Sequence, residues 1–564
     1  GGSTWLDAGS LINFNGYDGT IYTGAGNPLS GRSAFAGSSH GYISTRLNLA
    51  SLAGQTVTFR WRMGLDEEYS ALGWWVDDVR IFNCTSNTIS GNTGVGGVTL
   101  SYTDSTPKTV TSSGNGTYAL PVSDNWSGSV TPSHACFTFS PANRNYNNVT
   151  ANQTSQNYTP TFIPGSGCAD ITVSIGGTDQ GRFGLPSQGS TRASFVEINN
   201  GPVQIESTNA VSIMGAERLI YKINGVNTSF SETMGLPHSQ LDNIYWLPWY
   251  NNVDLDTQLR FGNVSNSTAT VHVSIGGTEM VGSPFDLAPG ASTRKSFAGI
   301  NNGPVKIESN VNIVAAERLI YKVNGVNTSF SEMMALPDSQ LNSTYWLPWY
   351  NNVDLDTQLR FANVSGAEAS VHVYIGGAEM PGSPFTLAAG ASTRRSFAGI
   401  NNGPVKIESN VNIVAAERLI YKVNGVNTSF SEMMALPNSQ LGTTYWLPWY
   451  NNVDLDTQLR FANVSGAEAS VHVYIGGTEM PGSPFTLAAG ASTRRSFAGI
   501  NNGPVKIESD QNIVAAERLI YKVNNIATSF SEMMALPASQ LDTIYWLPWY
   551  NNVDLDTQLR FGVP

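Results

Sequence analysis

Apolar and polar residues alternate along much of this chain with the period of a half-buried strand. In SVHVYIGG (370–377), Val371, Val373 and Ile375 share one face, and His372 and Tyr374 take the other. The pattern recurs at a fixed interval. The stretch YWLPWYNNVDLDTQLRF begins at Tyr245, Tyr345, Tyr445 and Tyr545, and its last copy ends at Phe561. A constant period of this kind marks an array of like modules. Each repeat also carries SPFTLAAGASTRRSF, INNGPVKIES, NIVAAERLIYKV and NTSFSEMMALP, or close variants. The last of these reads as a loop holding at most one helical turn. About seven strands per repeat predict an immunoglobulin-like β-sandwich. Strands of about ten residues would make each sandwich on the order of 35 Å long, and four a stiff rod of about 140 Å.

Two further segments precede the repeats. In residues 1–84, SHGYISTRLNL and QTVTFRWRMG alternate as strands do, and GWWVDDVRIF closes the segment. Residues 85–164 show short apolar strands between Gly, Asn and Pro turns, the pattern of a small β-sandwich. TFIPGSG (161–167) is a linker. The expected domains are 1–84, 85–164, 165–262, 263–362, 363–462 and 463–564, all β.

Three resemblances attach to these segments. GGSTWLDAG, NGYDGTI, GRSAFAGSSHGYISTRLNLASLAGQTVTFRWRMG and GWWVDDVRIF resemble the second half of the MAM-like jelly roll at the tails of secreted bacterial proteins, fungalysin-type metallopeptidases among them. In that family GGSTW lies mid-domain, so the resemblance implies a missing first half and an apolar face that something must cover. It also makes Asp77 and Asp78 candidate calcium ligands, because similar jelly rolls hold calcium near the final strand. Two adjacent carboxylates are only part of a calcium shell, and the alternative is a solvated or hydrogen-bonded pair. ISGNTGVGGVTL, SSGNGTYAL and FTFSP…YNNVTANQTSQNYT resemble a carboxypeptidase regulatory-like (prealbumin-like) domain, which implies a non-catalytic accessory. The repeats resemble a tandem β-sandwich module of secreted bacterial surface proteins, through Trp346–Trp349, Thr357–Asn363 and Ala316–Tyr321.

Composition narrows the function classes. The net charge is −12, with 30 basic against 42 acidic residues, and no basic stripe could neutralise a nucleic-acid backbone. No apolar run reaches the roughly 20 residues of a membrane helix, so no membrane insertion is expected. Three cysteines, Cys84, Cys136 and Cys168, cannot all pair within one chain. Either the thiols stay free or one bridge forms, and Cys84–Cys136 is the expected pair because it would pin a domain junction.

No catalytic motif is present, and no His/Cys cluster has zinc spacing. His272, His372 and His472 fall on the outward face of one strand in successive repeats. Asp254 and Asp256, with copies at 354/356, 454/456 and 554/556, stand beside Asn251 and Asn252. They form either a calcium-binding turn or, the favoured reading, a polar turn that caps its own backbone. Glu317 falls on the apolar face of its strand and needs a partner, for which Arg360 is the candidate. Trp246, Trp249 and their copies are expected to pack at module junctions rather than to bind sugar. The position held by His238, Asp338, Asn438 and Ala538 accepts four residue types, which predicts an exposed site without an exacting contact. Sequons at Asn115, Asn148, Asn227, Asn263, Asn266, Asn327, Asn342, Asn363, Asn427 and Asn463 are candidate glycosylation sites.

These features predict a non-enzymatic, extracellular or cell-surface protein: a structural subunit of a filament or stalk. The alternatives are a targeting or substrate-binding tail of a secreted peptidase and a carbohydrate-binding adhesin with glycans as partners. The terminal strand, Thr557–Val563, has no module after it, while the first repeat lacks the strand that precedes the others. Pairing between chains would self-associate the protein head to tail. Alternatively, each stretch closes the sandwich before it.

Overall fold

The computed structural model describes residues 5–24, 26–36, 42–65, 67, 73–81, 86–223, 226–323, 325–423, 425–523 and 526–564. The chain falls into two compact bodies, 1–83 and 84–564. It is all-β, and among the described residues the only helices are 3-10 turns of three residues.

In the first body two short pairs form, Ile12–Phe14 with Arg46–Leu47 and Gly19–Thr20 with Ser33–Ala34. The expected strands at 55–64 and 73–81 join no ladder. Without a partner strand their backbone groups have nothing in the sheet to pair with. Trp61, Trp75 and Ile81 are exposed, and of the described large apolar side chains only Leu29 is buried.

The second body begins with the expected small sandwich. Ser86–Asn92 pairs with Thr117–Ser123, and a four-stranded sheet runs Arg144–Val149, Trp126–Ser133, Thr99–Asp104, Thr106–Thr111. Alternate residues Tyr118, Leu120 and Val122 pack inward with Ile89, Leu100 and Trp126. The disulfide joins Cys136 to Cys168, not to Cys84, which lies outside the described residues. It ties this sandwich to the first repeat. The Gly96 N–H donates to the Arg182 carbonyl at 2.7 Å, and the Arg182 guanidinium lies 4.9 Å from the Phe137 ring centre.

The repeats fold as two-sheet sandwiches, but their boundaries and arrangement differ from the expectation. In the second module the long strand Val305–Val323 serves both sheets. Its first half pairs with Asp242–Leu247 and Ala269–Ile275, its second half with Asp256–Asn263 and Val326–Met334. The whole YWLPWYNNVDLDTQLRF stretch therefore belongs to the module that follows it. The cut lies near residues 242, 342 and 442 rather than 262, 362 and 462, giving modules 242–341, 342–441 and 442–541.

The first module, 168–241, has no such stretch before it and takes the last copy. Ile544–Leu547 pairs with Val203–Ser207, and Asp556–Gly562 inserts between Ser190–Ala193 and Met214–Ile223. The strand expected at a free end is thus interior to a sheet of its own chain. This corrects both the rod and the reading in which each stretch closes the sandwich before it. The edge and the strand are complementary, as the sequence suggested, and they satisfy each other within one molecule.

The four modules accordingly close into a ring. The segment read as a loop is its innermost strand, Val226–Met234 and its copies Val326–Met334, Val426–Met434 and Ile526–Met534. Neighbouring copies bond around the ring. The N–H groups of Glu232, Glu332, Glu432 and Glu532 donate to the hydroxyls of Ser531, Ser231, Ser331 and Ser431 at 2.9–3.0 Å. Each hydrophobic core admits a tryptophan from the module before it: Trp546, Trp246, Trp346 and Trp446 enter the second, third, fourth and first cores.

Candidate functional site: the junctions between modules

Each junction carries a buried ionic cluster, and the third–fourth junction carries in addition, toward the surface, a groove beside Trp346. The cluster arises because two adjacent strands place charge at one level. Arg318 and Glu332 are register partners on the hairpin, and Arg260 stands on the strand beyond, beside Ala316. Arg318 ion-pairs with Glu332, and Arg260 approaches the same carboxylate at 3.6 Å. Glu217 of the first module joins them across the junction. The copies repeat at the other three junctions: Glu317 with Glu432, Arg418 and Arg360; Glu417 with Glu532, Arg518 and Arg460; and Glu517 with Glu232, Arg218 and Arg560, the last closing the ring.

All of these side chains are buried. Desolvation raises Glu217, Glu317, Glu417 and Glu517 well above the ordinary carboxylate value, and the neighbouring Glu332, Glu432, Glu532 and Glu232 push the same way. Burial, with Arg318 beside it, pushes Arg260 down to about 9, so it stays charged at neutral pH. Arg360, the expected partner of Glu317, lies within its electrostatic reach, but its ion pair is with Glu432 at 4.0 Å. These clusters bury charge at the seams between neighbouring modules.

The tryptophans pack at junctions, as expected. Trp249, Trp349, Trp449 and Trp549 lie under the guanidinium groups of Arg360, Arg460, Arg560 and Arg260 at 5.4–5.9 Å. Each donates its indole N–H to an asparagine: Asn301, Asn401, Asn501 or Asn199.

The variable position has a contact that its variability concealed. The Trp246 N–H donates to Asp338 Oδ1 at 2.7 Å, Trp346 to Asn438 Oδ1 at 2.9 Å and Trp546 to His238 Nδ1 at 3.2 Å. Ala538 leaves Trp446 without such an acceptor. The four junctions therefore differ chemically at this place. At the third–fourth junction the groove is a cavity of about 450 Å³ lined by Trp346, Asn438, Leu441, Thr443, Val464, Ser465, Asp510, Gln511 and Asn512. A second, of about 240 Å³, adjoins Trp346 and Val464 and is lined also by Tyr374 and Lys406.

The remaining expected sites resolve as follows. The Asn251 side chain accepts the N–H groups of Val253 and Asp254 and donates to Asp254. That is the polar turn capping its own backbone. Asp77 accepts the Asp78 N–H at 2.8 Å, and exposed Asp78 faces Arg80 at 3.4 Å. Among the described residues no three His, Cys, Asp or Glu side chains converge as metal ligands. His272, His372 and His472 face outward, each 2.7 Å from Glu279, Glu379 or Glu479; His40 lies outside the described residues. Sequons Asn263, Asn363 and Asn463 are fully buried, their amides donating to Leu287, Leu387 and Leu487 carbonyls. As folded they offer no acceptor nitrogen, whereas Asn266 is exposed. No helix is long and apolar enough to cross a membrane among the described residues.

No family model matches the chain. No curated protein matches it. Among solved structures it is similar to the M60 catalytic domain with the CBM51-1 and CBM51-2 domains from Clostridium perfringens ZmpB, at 9% identity and a TM-score of 0.13, over 83% of this chain and 55% of that one. It spans about half the length of that structure (55%). It is also similar to BcpA, the major pilin subunit of Bacillus cereus, at 10% identity and a TM-score of 0.10, over 63% of this chain and 96% of that one. At those scores neither likeness bears on function.

Proposed function

We propose that this protein is a non-catalytic recognition head of an extracellular or cell-surface protein: a rigid ring whose four junctions differ chemically and one of which holds a groove. The observation that carries this reading is ring closure. A stalk needs modules free to extend, and a strand-exchange filament needs a free strand; here Asp556–Gly562 lies between two strands of its own first module. Four cores that share tryptophans with their neighbours, and buried Arg–Glu clusters at every junction, make a stiff frame. Stiffness lowers the entropy lost on binding. Near-identical modules that differ where the junction tryptophan finds its acceptor are suited to display and selection rather than to turnover. The peptidase-tail and adhesin readings both fall within this class.

The test is retention of the full chain on a panel of immobilised polysaccharides and extracellular polypeptides, with negative-stain images of the same sample. Saturable retention by compact single particles is expected. Long uniform fibres without retention would overturn the reading in favour of the filament subunit.

A further inference from the structure

We infer that the groove between the third and fourth modules is a binding site for a short, neutral, polyhydroxylated ligand, a glycan of one or two sugar units. This rests on the recognition reading above and assigns it a place. Three observations carry it.

The first is size. A cavity of about 450 Å³ falls within the range of about 300–1,000 Å³ typical of small-ligand sites.

The second is chemistry. The polar lining is amide, hydroxyl and carboxylate, with no basic group in the larger chamber. Thr443, Gln511 and Asn512 make no side-chain hydrogen bond to any described residue, so their polar atoms are free for a ligand. Asn438 spends its oxygen on the Trp346 N–H and keeps its NH2 free. Planar groups that both donate and accept suit the paired hydroxyls of a sugar, and an anion would meet Asp510 instead of a cation. Trp346, itself mostly buried, supplies a rigid apolar wall.

The third is the chain's own variation. The second and third modules carry Asn310-Val311 and Asn410-Val411 where the fourth carries Asp510-Gln511. The exchange leaves the framework alone. Asp510 Oδ1 accepts the Ser470 N–H at 2.8 Å just as Asn410 Oδ1 accepts that of Ser370 at 2.7 Å. What changes is the groove, which gains a carboxylate oxygen and an amide in place of an isopropyl group.

The experiment applies the full chain and its Asp510→Asn/Gln511→Val variant to an array of neutral oligosaccharides, with anionic oligosaccharides and polypeptides on the same slide. Calorimetry on the best-retained oligosaccharide follows. The variant restores residues that two other modules already fold with, so its melting temperature should match the parent. Retention on neutral oligosaccharides, weakened at least tenfold in the variant, is the expected result. Equal retention of parent and variant would overturn the site while leaving the recognition reading in place. Retention only on anionic sugars or polypeptides would overturn the ligand class. No retention on any surface would overturn both.

Discussion

Replacing Leu559 by alanine should cost as much stability as replacing Leu459. Leu559 lies on the last strand of the chain, opposite Ala193 on one side and Glu217 on the other, and is fully buried in the first module's core. Leu459 holds the same place in the fourth module and is also fully buried. Leucine to alanine removes three carbons, about 2.4 kcal/mol at roughly 0.8 kcal/mol each. The cavity left behind raises the cost to about 2.7–5 kcal/mol. If the terminal strand were a loose end, Leu559 would stand in water and its loss would cost within about 0.5 kcal/mol of nothing. Urea unfolding read by hydrogen exchange in residues 169–223 isolates the first module's transition. A large shift for Leu459→Ala in its own module, with none for Leu559→Ala in the first, would refute intramolecular closure.

Three further outcomes follow from the junctions and the linker. Glu217, Glu317, Glu417 and Glu517 have raised folded-state pKa values, so their contribution is complete below the unfolded carboxylate value of about 4.3 and is lost as pH rises through the folded one. Changing all four to glutamine should flatten the fall in melting temperature between pH 5 and 8, and an unchanged slope would contradict this. Cys136→Ser, or reduction, should destabilise the joint between the small sandwich and the ring by about 2–4 kcal/mol, read by limited proteolysis near residue 165. Asn363→Ala strips two carbonyls and the Ser365 N–H of their buried partner and should cost about 2–3 kcal/mol by denaturant midpoint, whereas Asn266→Ala should be close to neutral.

The all-β class and the sandwich modules were legible because alternation and a strict repeat survive in any local window. Val371, Val373 and Ile375 are buried and His372 faces out, as their spacing required. The complementarity of the first edge and the last strand was legible too, since it depends only on which segment each end lacks. Ring closure was not, because it depends on the angle between successive modules, which no local pattern encodes. The inner strand was missed because Ser329 and Ser331 read as loop residues. The strand is buried on both faces from Ser329 to Met333, so no alternation marks it, and small hydroxyls are what let neighbouring backbones approach at the ring's centre. The variable position misled for a related reason. Asp338, Asn438 and His238 share no size or charge, yet each offers one acceptor to an indole N–H. In residues 55–64 alternation was present and the ladder was not, which shows that period two prepares a strand but only a partner makes one.

Closure itself can be trapped covalently. Glu206 and Ile544 are register partners on adjacent antiparallel strands, one in the first module and the other in the chain's terminal stretch. Such pairs place Cα atoms about 4.5–5.5 Å apart, within reach of a disulfide. Glu206→Cys/Ile544→Cys, in a Cys84→Ser background, should oxidise to an intramolecular bridge in a monomer, seen by non-reducing electrophoresis and intact mass. Bridges that form only between chains, or none at all, would contradict the closed ring.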